Sequence, residues 1–132
     1  MYWNYPRVPF ETLKGKTIVK IDGMSVANDE IRFYCSDSSV YLMYHEQDCC
    51  ESVAIDDVCG DVEDLLNSEV LVAEKNINYD DPAKNEWDES YTWTFYKIAT
   101  QKGYVDLKWY GTSNGFYSED VEFRDITKRK EE

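Results

Sequence analysis

Alternating apolar and polar side chains run through most of this chain and predict short β-strands. Residues 104–110 give the clearest case, because Val105, Leu107 and Trp109 would face one side while Asp106 and Lys108 face the other. This is the pattern of a half-buried antiparallel strand. Comparable runs predict further strands at residues 13–21, 30–35, 40–45, 52–57, 69–74, 91–100 and 116–123.

Turn-forming residues separate these runs and suggest how they connect. Residues 36–39 (SDSS) predict a hairpin whose second strand ends at His45. The runs at residues 91–100, 104–110 and 116–123, with turns at residues 102–103 and 113–115, predict a three-stranded meander. One short helix is expected near residues 60–67, with acidic residues in its first turn, and the polar segment 75–89 is expected to be a loop.

The predicted fold class is therefore α+β and mostly β. A single domain over residues 1–132 would contain an antiparallel sheet of about seven short strands and the one short helix. A chain of 132 residues is long enough to bury a real core. Residues 1–10 and 125–132 are expected to be peripheral tails.

Composition narrows the classes of partner. With 42% apolar and 15% aromatic residues the chain is typical of a globular protein, and its net charge of −13 repels phosphate groups. We therefore expect no direct binding to nucleic acid and none to membranes. No apolar stretch approaches the roughly 20 residues that span a bilayer, and residues 1–10 do not resemble a signal peptide. The expected location is the host cytoplasm, with reduced cysteines.

The acidic residues are concentrated in one part of the sequence. Residues 33–74 contain eleven acidic side chains and no lysine or arginine. Such a segment is expected to present negative potential to a cationic partner. The predicted partner-binding residues are Glu46, Asp48, Glu51, Asp56, Asp57, Asp61, Glu63 and Asp64.

Residues 45–51 (HEQDCCE) bring together the only histidine, two adjacent cysteines and three carboxylates. A zinc site usually requires separated ligand pairs such as CxxC, which the chain lacks, and adjacent cysteines in extended backbone point to opposite faces. A catalytic dyad of His45 and Cys49 is chemically conceivable, but a reactive thiolate needs positive neighbours, and eight carboxylates lie between residues 46 and 64. The plain alternative is a turn whose imidazole and thiols are buried for packing.

Paired carboxylates at residues 56–57 and 63–64 could attract Mg²⁺ or Ca²⁺, yet neither EF-hand nor DxD spacing is present. A solvated acidic edge is the simpler interpretation. We predict no metal ligand, no catalytic residue and no cofactor.

An aromatic group of residues suggests a second kind of site. Trp93 and Trp109 are assigned to the core, whereas the tyrosines beside the loop GTSNG would form an amphipathic platform for a small molecule. The residues of this alternative ligand site are His45, Tyr96, Tyr110, Ser113, Asn114 and Tyr117.

Three blocks of sequence carry a resemblance: HEQDCCESVAIDDVCGDVEDLL, SYTWTFYKIAT and VDLKWYGTSNGFYSE. Over residues 13–123 the chain resembles a small uncharacterised family of proteins encoded by bacteriophages and prophages. The matching positions are His45, Asp48, Cys49, Cys50, Glu51, Gly60, Asp61, Trp93, Trp109, Gly111, Ser113, Asn114, Tyr117 and Ser118, whereas Cys35 and Cys59 do not belong to the pattern. The resemblance implies a phage origin rather than a mechanism.

These observations lead to one leading hypothesis and two alternatives. The leading hypothesis is a non-enzymatic phage accessory protein whose acidic face covers a basic surface of a host protein, including a host defence nuclease or CRISPR-type protein. The first alternative is a sponge that sequesters a nucleotide-like immune signal on the aromatic platform. The second is a hydrolase that uses a metal or the Cys/His pair.

Overall fold

Two antiparallel sheets of four strands make up the fold in a computed structural model that describes residues 2–78 and 81–128. The first sheet has the order β1-β2-β3-β8 and the second β4-β7-β6-β5. The strands are β1 Ile18–Asp22, β2 Glu30–Cys35, β3 Val40–Tyr44, β4 Ser52–Cys59, β5 Val72–Asn78, β6 Ser90–Thr100, β7 Gly103–Ser113 and β8 Glu122–Asp125. The predicted mostly-β single domain is confirmed, with its strands divided between two sheets.

The core lies between the two sheets and follows the predicted alternation. Val105, Leu107 and Trp109 of β7 are buried, as expected from their period of two. Phe10, in a 3-10 turn at Phe10–Leu13, joins the sheets, because its ring centroid lies 5.3 Å from that of Phe123 in the first sheet and 4.8 Å from that of Tyr96 in the second. Edge-to-face contacts of this kind favour one arrangement of the core.

The N-terminal segment belongs to the fold and is not a peripheral tail. Phe10 is buried, and the backbone around Arg7 pairs with β8 through Val8 N–H to Phe123 O at 3.1 Å and Asp125 N–H to Pro6 O at 3.0 Å. This pairing covers an edge strand that would otherwise expose its backbone groups. At the other end, Ile126 N–H bonds the carbonyl of Val40, and residues 129–132 lie outside the described residues.

The helix expected near residues 60–67 is a single 3-10 turn, Val62–Leu65. Asp61 caps the turn by accepting a hydrogen bond from Glu63 N–H at 3.0 Å. Asn67, just after the turn, has a positive φ of 60°. Eight residues are too few to offset the entropic cost of helix nucleation without an apolar face several turns long. The turn contributes one core side chain, Leu65.

The expected three-stranded meander is wrong in its third strand. β6 and β7 form the predicted hairpin, but residues 114–121 leave the second sheet, and β8 pairs with β3 in the first. The strand predicted at residues 69–74 also shifts to Val72–Asn78, which shortens the expected loop 75–89; residues 79 and 80 of that loop lie outside the described residues. Local alternation cannot specify which sheet a strand joins.

Among the described residues, no helix is long and apolar enough to cross a membrane.

Candidate functional site

The loop of residues 45–51 connects β3 in the first sheet to β4 in the second and folds around the carboxylate of Glu51. This side chain is fully buried. It accepts hydrogen bonds from His45 Nε2 at 2.7 Å, Asp48 N–H at 2.9 Å, Cys49 N–H at 2.8 Å and Gln47 Nε2 at 3.1 Å. The loop therefore owes its shape to one internal carboxylate.

Glu51 remains ionised inside this loop. Burial alone would raise the pKa of its carboxyl, but the hydrogen bonds from Cys49 N–H, His45 and Asp48 N–H outweigh burial and lower the pKa to about 2. Charge-assisted hydrogen bonds to an anion are among the stronger ones in proteins. Glu51 is thus a buried charge whose partners are provided by its own loop.

His45 joins this loop to the segment that enters β8. Its Nδ1 lies 2.7 Å from the carbonyl oxygen of Asp120, and a carbonyl can only accept, so Nδ1 donates. Its Nε2 faces the ionised carboxylate of Glu51, which also only accepts. Both ring nitrogens therefore contact acceptor oxygens of the protein, and the imidazole is held between Asp120 and Glu51.

The cysteines depart from the expectation that all are reduced. Cys49 and Cys50 are joined in a disulfide between adjacent residues, while Cys35 is a buried free thiol and Cys59 an exposed one. Cys49 and Cys50 are exposed, so the alternative that the thiols are buried for packing is also wrong. In an exposed turn, adjacent cysteines can bring their sulfur atoms together. In extended backbone they would point to opposite faces.

Neither catalytic arrangement proposed for this loop is assembled. Cys49 has no free thiol, and both ring nitrogens of His45 already bond protein oxygens. Within residues 2–78 and 81–128, no group of three or more His, Cys, Asp or Glu side chains is arranged to hold a metal ion. The geometry gives residues 45–51 a structural role.

The acidic residues lie along β4 instead of forming a compact patch. Glu51 is inside the protein and cannot belong to a partner-binding face, because its carboxylate is enclosed by its own loop. Asp56 forms an ion pair with Lys84, and Asp57 lies opposite Lys108 in the β4–β7 register.

The remaining predicted residues are more open. Asp48, Asp57, Asp61 and Glu63 are exposed, while Glu46, which accepts a hydrogen bond from Tyr44, and Asp64 are half-buried. Since β4 has eight residues, Asp48 and Asp61 lie on the order of 25 Å apart or more at its two ends. We call Asp48, Asp57, Asp61 and Glu63 the acidic stripe.

The aromatic platform predicted from the sequence does not exist as one surface. Tyr96 is buried between the sheets, and its hydroxyl has no hydrogen-bond partner among the described residues. Tyr110 faces the opposite side of the second sheet, because the register places it beside Trp93 and not beside Tyr96. Trp93, which was assigned to the core, is buried as predicted, but on the outer face of the second sheet with Tyr110, at a centroid distance of 4.4 Å.

A loop covers this outer aromatic face and accounts for the burial of Trp93. Trp93 Nε1 donates to the carbonyl of Pro82 at 3.0 Å, and Tyr91 donates to the carbonyl of Asp81 at 3.0 Å. The hydroxyl of Tyr110 donates to Asp88 at 2.6 Å and accepts from Lys84 N–H at 3.0 Å. Burial and the bond to Asp88 raise the pKa of Tyr110 to about 12, so its hydroxyl holds the loop and is not free for a ligand.

The other predicted ligand residues shape a turn. Ser113 donates to the buried carboxylate of Glu119 at 2.5 Å and accepts from Gly115 N–H at 3.0 Å. Asn114 accepts from Phe116 N–H at 3.1 Å, an Asx turn, and Tyr117 is half-buried. His45 belongs to the separate loop around Glu51. The six residues of the alternative ligand site are therefore divided among the core, the outer face and two loops.

Two exposed aromatic side chains, Trp87 and Phe116, were not among the site residues predicted from the sequence. Trp87 is 73% exposed and Phe116 is 88% exposed. Both lie in polar segments, NEWDES and SNGFYS, where an aromatic residue has no apolar neighbours at strand spacing. That isolation is the signal that would have identified them.

Comparison with known proteins gives a family but no function. A family model described as a domain of unknown function (DUF7448) matches residues 11–123. No curated protein and no solved structure matches the chain.

Proposed function

The chain belongs to the DUF7448 family of domains of unknown function, and we propose that it is a non-enzymatic binding protein that docks its carboxylates onto a basic surface of another protein. The observation that supports this proposal is the acidic stripe, in which Asp48 is exposed in the loop before β4, Asp57 is exposed on β4, and Asp61 and Glu63 are exposed just after it. Exposed carboxylates spread along the protein in this way suit a partner whose basic surface normally binds nucleic acid.

The net charge of −13 would act before contact is made. Charge of one sign speeds the encounter with an oppositely charged protein and disfavours partners of the same sign. With the phage origin suggested by its sequence blocks, the expected partner is a host protein, such as a defence nuclease, that the phage protein blocks by occupying its basic surface.

The structural role of residues 45–51 supports a binding protein over a hydrolase. His45 and Glu51 satisfy each other inside the fold, with side chains only 3% and 0% exposed. Substrate could reach neither group without opening the loop.

A small-molecule sponge is the second candidate function, and its ligand would bind in a cleft on the second sheet. The outer face of the second sheet has a cleft of about 470 Å³, where Phe95 lies opposite Lys108 and on the same strand as Lys97. An aromatic ring and two ammonium groups could hold a base and a phosphate, although Asp57, Glu74 and Asp106 line the same cleft and oppose an anion. Heating the protein after incubation with nucleotide signals would release intact ligand from a sponge.

Salt provides the main test of the proposed function. Immobilised protein would capture its partner from host lysate; the partner would then be identified by mass spectrometry, purified and titrated. Binding should weaken at least about tenfold between about 0.1 M and about 1 M salt, because the Debye length falls from about 10 Å to about 3 Å. Salt-independent binding would contradict an electrostatic interface.

Charge variants locate the interface. The quadruple variant Asp48→Asn, Asp57→Asn, Asp61→Asn, Glu63→Gln removes the acidic stripe, and asparagine at position 61 can still cap the 3-10 turn. We expect it to lose most of the salt-sensitive affinity.

A matched control removes four exposed carboxylates elsewhere: Glu11→Gln, Asp22→Asn, Glu69→Gln, Glu74→Gln. Both variants change the net charge by the same amount, so equal losses of affinity would mean that only total charge matters.

A further inference from the structure

We infer that one end of the sandwich is the docking surface and that Trp87 and Phe116 are its anchors, inserted into an apolar pocket with a basic rim on the partner protein. This surface consists of residues 46–51, 84–89 and 114–118, which we call the loop end. The inference rests on the proposed function and adds to it the part of the molecule that makes the closest contact.

The exposure of the two aromatic side chains is the first observation. Trp87 and Phe116 are 73% and 88% exposed, whereas the other described phenylalanines are half-buried or buried. Large aromatic side chains are enriched among the residues that carry most of the affinity in protein interfaces. Aromatic rings left in water on two loops are therefore candidate anchors.

Strand register brings the three loops to the same end. Ser90 pairs with Ser113, and Ser52 pairs with Thr112, so β4, β6 and β7 end side by side. Trp87 and Phe116 each lie three residues beyond the Ser90–Ser113 pair, which limits each Cα to about 11 Å from its strand end. The disulfide of Cys49 and Cys50 lies just before Ser52, on the loop of residues 46–51.

Hydrogen bonds hold the backbone of all three loops. The Asx turn at Asn114 fixes Phe116 N–H, and Tyr110 connects Lys84 to Asp88 on either side of Trp87. In the loop of residues 46–51, the carboxylate of Glu51 accepts hydrogen bonds from the backbone. Because the anchors are presented on ordered backbone, binding would cost less conformational entropy than binding through a flexible segment.

Charge at the loop end specifies the kind of partner. Exposed Asp48, Glu86 and Glu89 lie in the same loop segments that form the loop end, and Lys84 is engaged with Asp56. A second copy of the chain would bring the same carboxylates face to face and be repelled. A protein with basic residues around an apolar pocket fits both the rings and the charges.

Photo-crosslinking at defined positions tests the inference. p-Benzoylphenylalanine would replace Trp87 or Phe116 and, as a matched control, Tyr104, which is 55% exposed on the first residues of β7 at the opposite end of the sheet. The salt-sensitive partner should be crosslinked from positions 87 and 116 and not from 104. With the purified partner, Trp87→Ala and Phe116→Ala should each weaken binding about 30-fold or more, and Tyr104→Ala less than about threefold.

The outcomes separate this inference from the proposed function. If Trp87→Ala and Phe116→Ala bind the salt-sensitive partner as the wild type does, the loop end is not the anchor, but the proposed function stands. If the partner is lost only in the acidic-stripe variant, the same conclusion follows. If no partner binds in a salt-sensitive way, the proposed function fails and this inference with it. A dimer in sedimentation that Phe116→Ala abolishes would identify a second copy as the occupant and overturn the inference.

Discussion

The carboxylate of Glu51 lies 2.7 Å from Nε2 of His45, with both side chains enclosed by the protein. The pair is held from both sides, by Asp48 N–H and Cys49 N–H on the carboxylate and by the carbonyl of Asp120 on the ring. A buried charge that loses its counterpart destabilises a fold strongly, even where the intact pair adds little. Residues 45–51 are therefore a sensitive point for stability.

Replacing Glu51 should destabilise the fold. Glu51→Gln keeps the size of the side chain but removes the charge that accepts hydrogen bonds from His45 and from the backbone of its own loop, and we expect the free energy of unfolding to fall by about 2 kcal/mol. Urea unfolding followed by tryptophan fluorescence measures the change. The control is Asp48→Asn, an exposed neighbour in the same loop, which should stay within about 0.5 kcal/mol of the wild type. Equal effects of the two substitutions would refute a special role for Glu51.

Acid should remove the same contribution from the wild type. The pKa of Glu51 lies at about 2 in the folded protein, below the ordinary value of 4.5, so its contribution is fully present above pH 4.5 and is lost as pH falls towards 2. The loss should be on the order of 2 kcal/mol once solvent screening is allowed for. Unfolding free energies measured across this window should decline less steeply for Glu51→Gln than for the wild type. Parallel curves would mean that other carboxyls account for the acid sensitivity.

Thiol counting should distinguish the four cysteines. Iodoacetamide added to the native protein should label Cys59 alone, because Cys35 is buried and Cys49 and Cys50 are bonded to each other. Denaturation should raise the count to two, and denaturation with reductant to four. Mass spectrometry of the intact protein reads each number. Four labels without reductant would show that the disulfide is absent.

Removing the hydroxyl of Tyr96 and removing that of Tyr110 should change the free energy of unfolding in opposite directions. The hydroxyl of Tyr96 is buried without a partner, so Tyr96→Phe removes an unsatisfied group and should raise the free energy of unfolding by about 1 kcal/mol. The hydroxyl of Tyr110 has two partners, so Tyr110→Phe should lower it by about 1 kcal/mol. Thermal melting of both variants checks the signs. A destabilised Tyr96→Phe would indicate that the hydroxyl bonds a water inside the core.

The sequence was a good guide where structure is local. Residues 30–35 and 104–110 are both strands, as predicted, and Val105, Leu107 and Trp109 share the buried face that their period of two predicts. The hairpin at residues 36–39 is also local, and it too is correct. Side-chain alternation needs no knowledge of the partner strand.

The register between strands and the burial of Glu51 could not be predicted from local alternation. Tyr96 and Tyr110 were placed on one surface, but the pairing of Trp93 with Tyr110 puts them on opposite faces of the same sheet. Glu51 was assigned to the surface because carboxylates are usually exposed, and only the assembled loop shows four donors around it. The first outcome depends on pairing between strands and the second on how a seven-residue loop folds around one carboxylate, and side-chain alternation specifies neither.

The hydrogen bond from His45 to Asp120 joins residues 75 positions apart. Both ends belong to passages of the chain from one sheet to the other, so the bond can form only after the polypeptide has crossed between the sheets twice. Closing so long a loop carries an entropic penalty before any contact rewards it, and proteins dominated by such distant pairings refold slowly. A nascent chain would therefore form this contact between the 45–51 loop and Asp120 among the last events of folding, and a cellular chaperone or protease would encounter the molecule before that contact is in place.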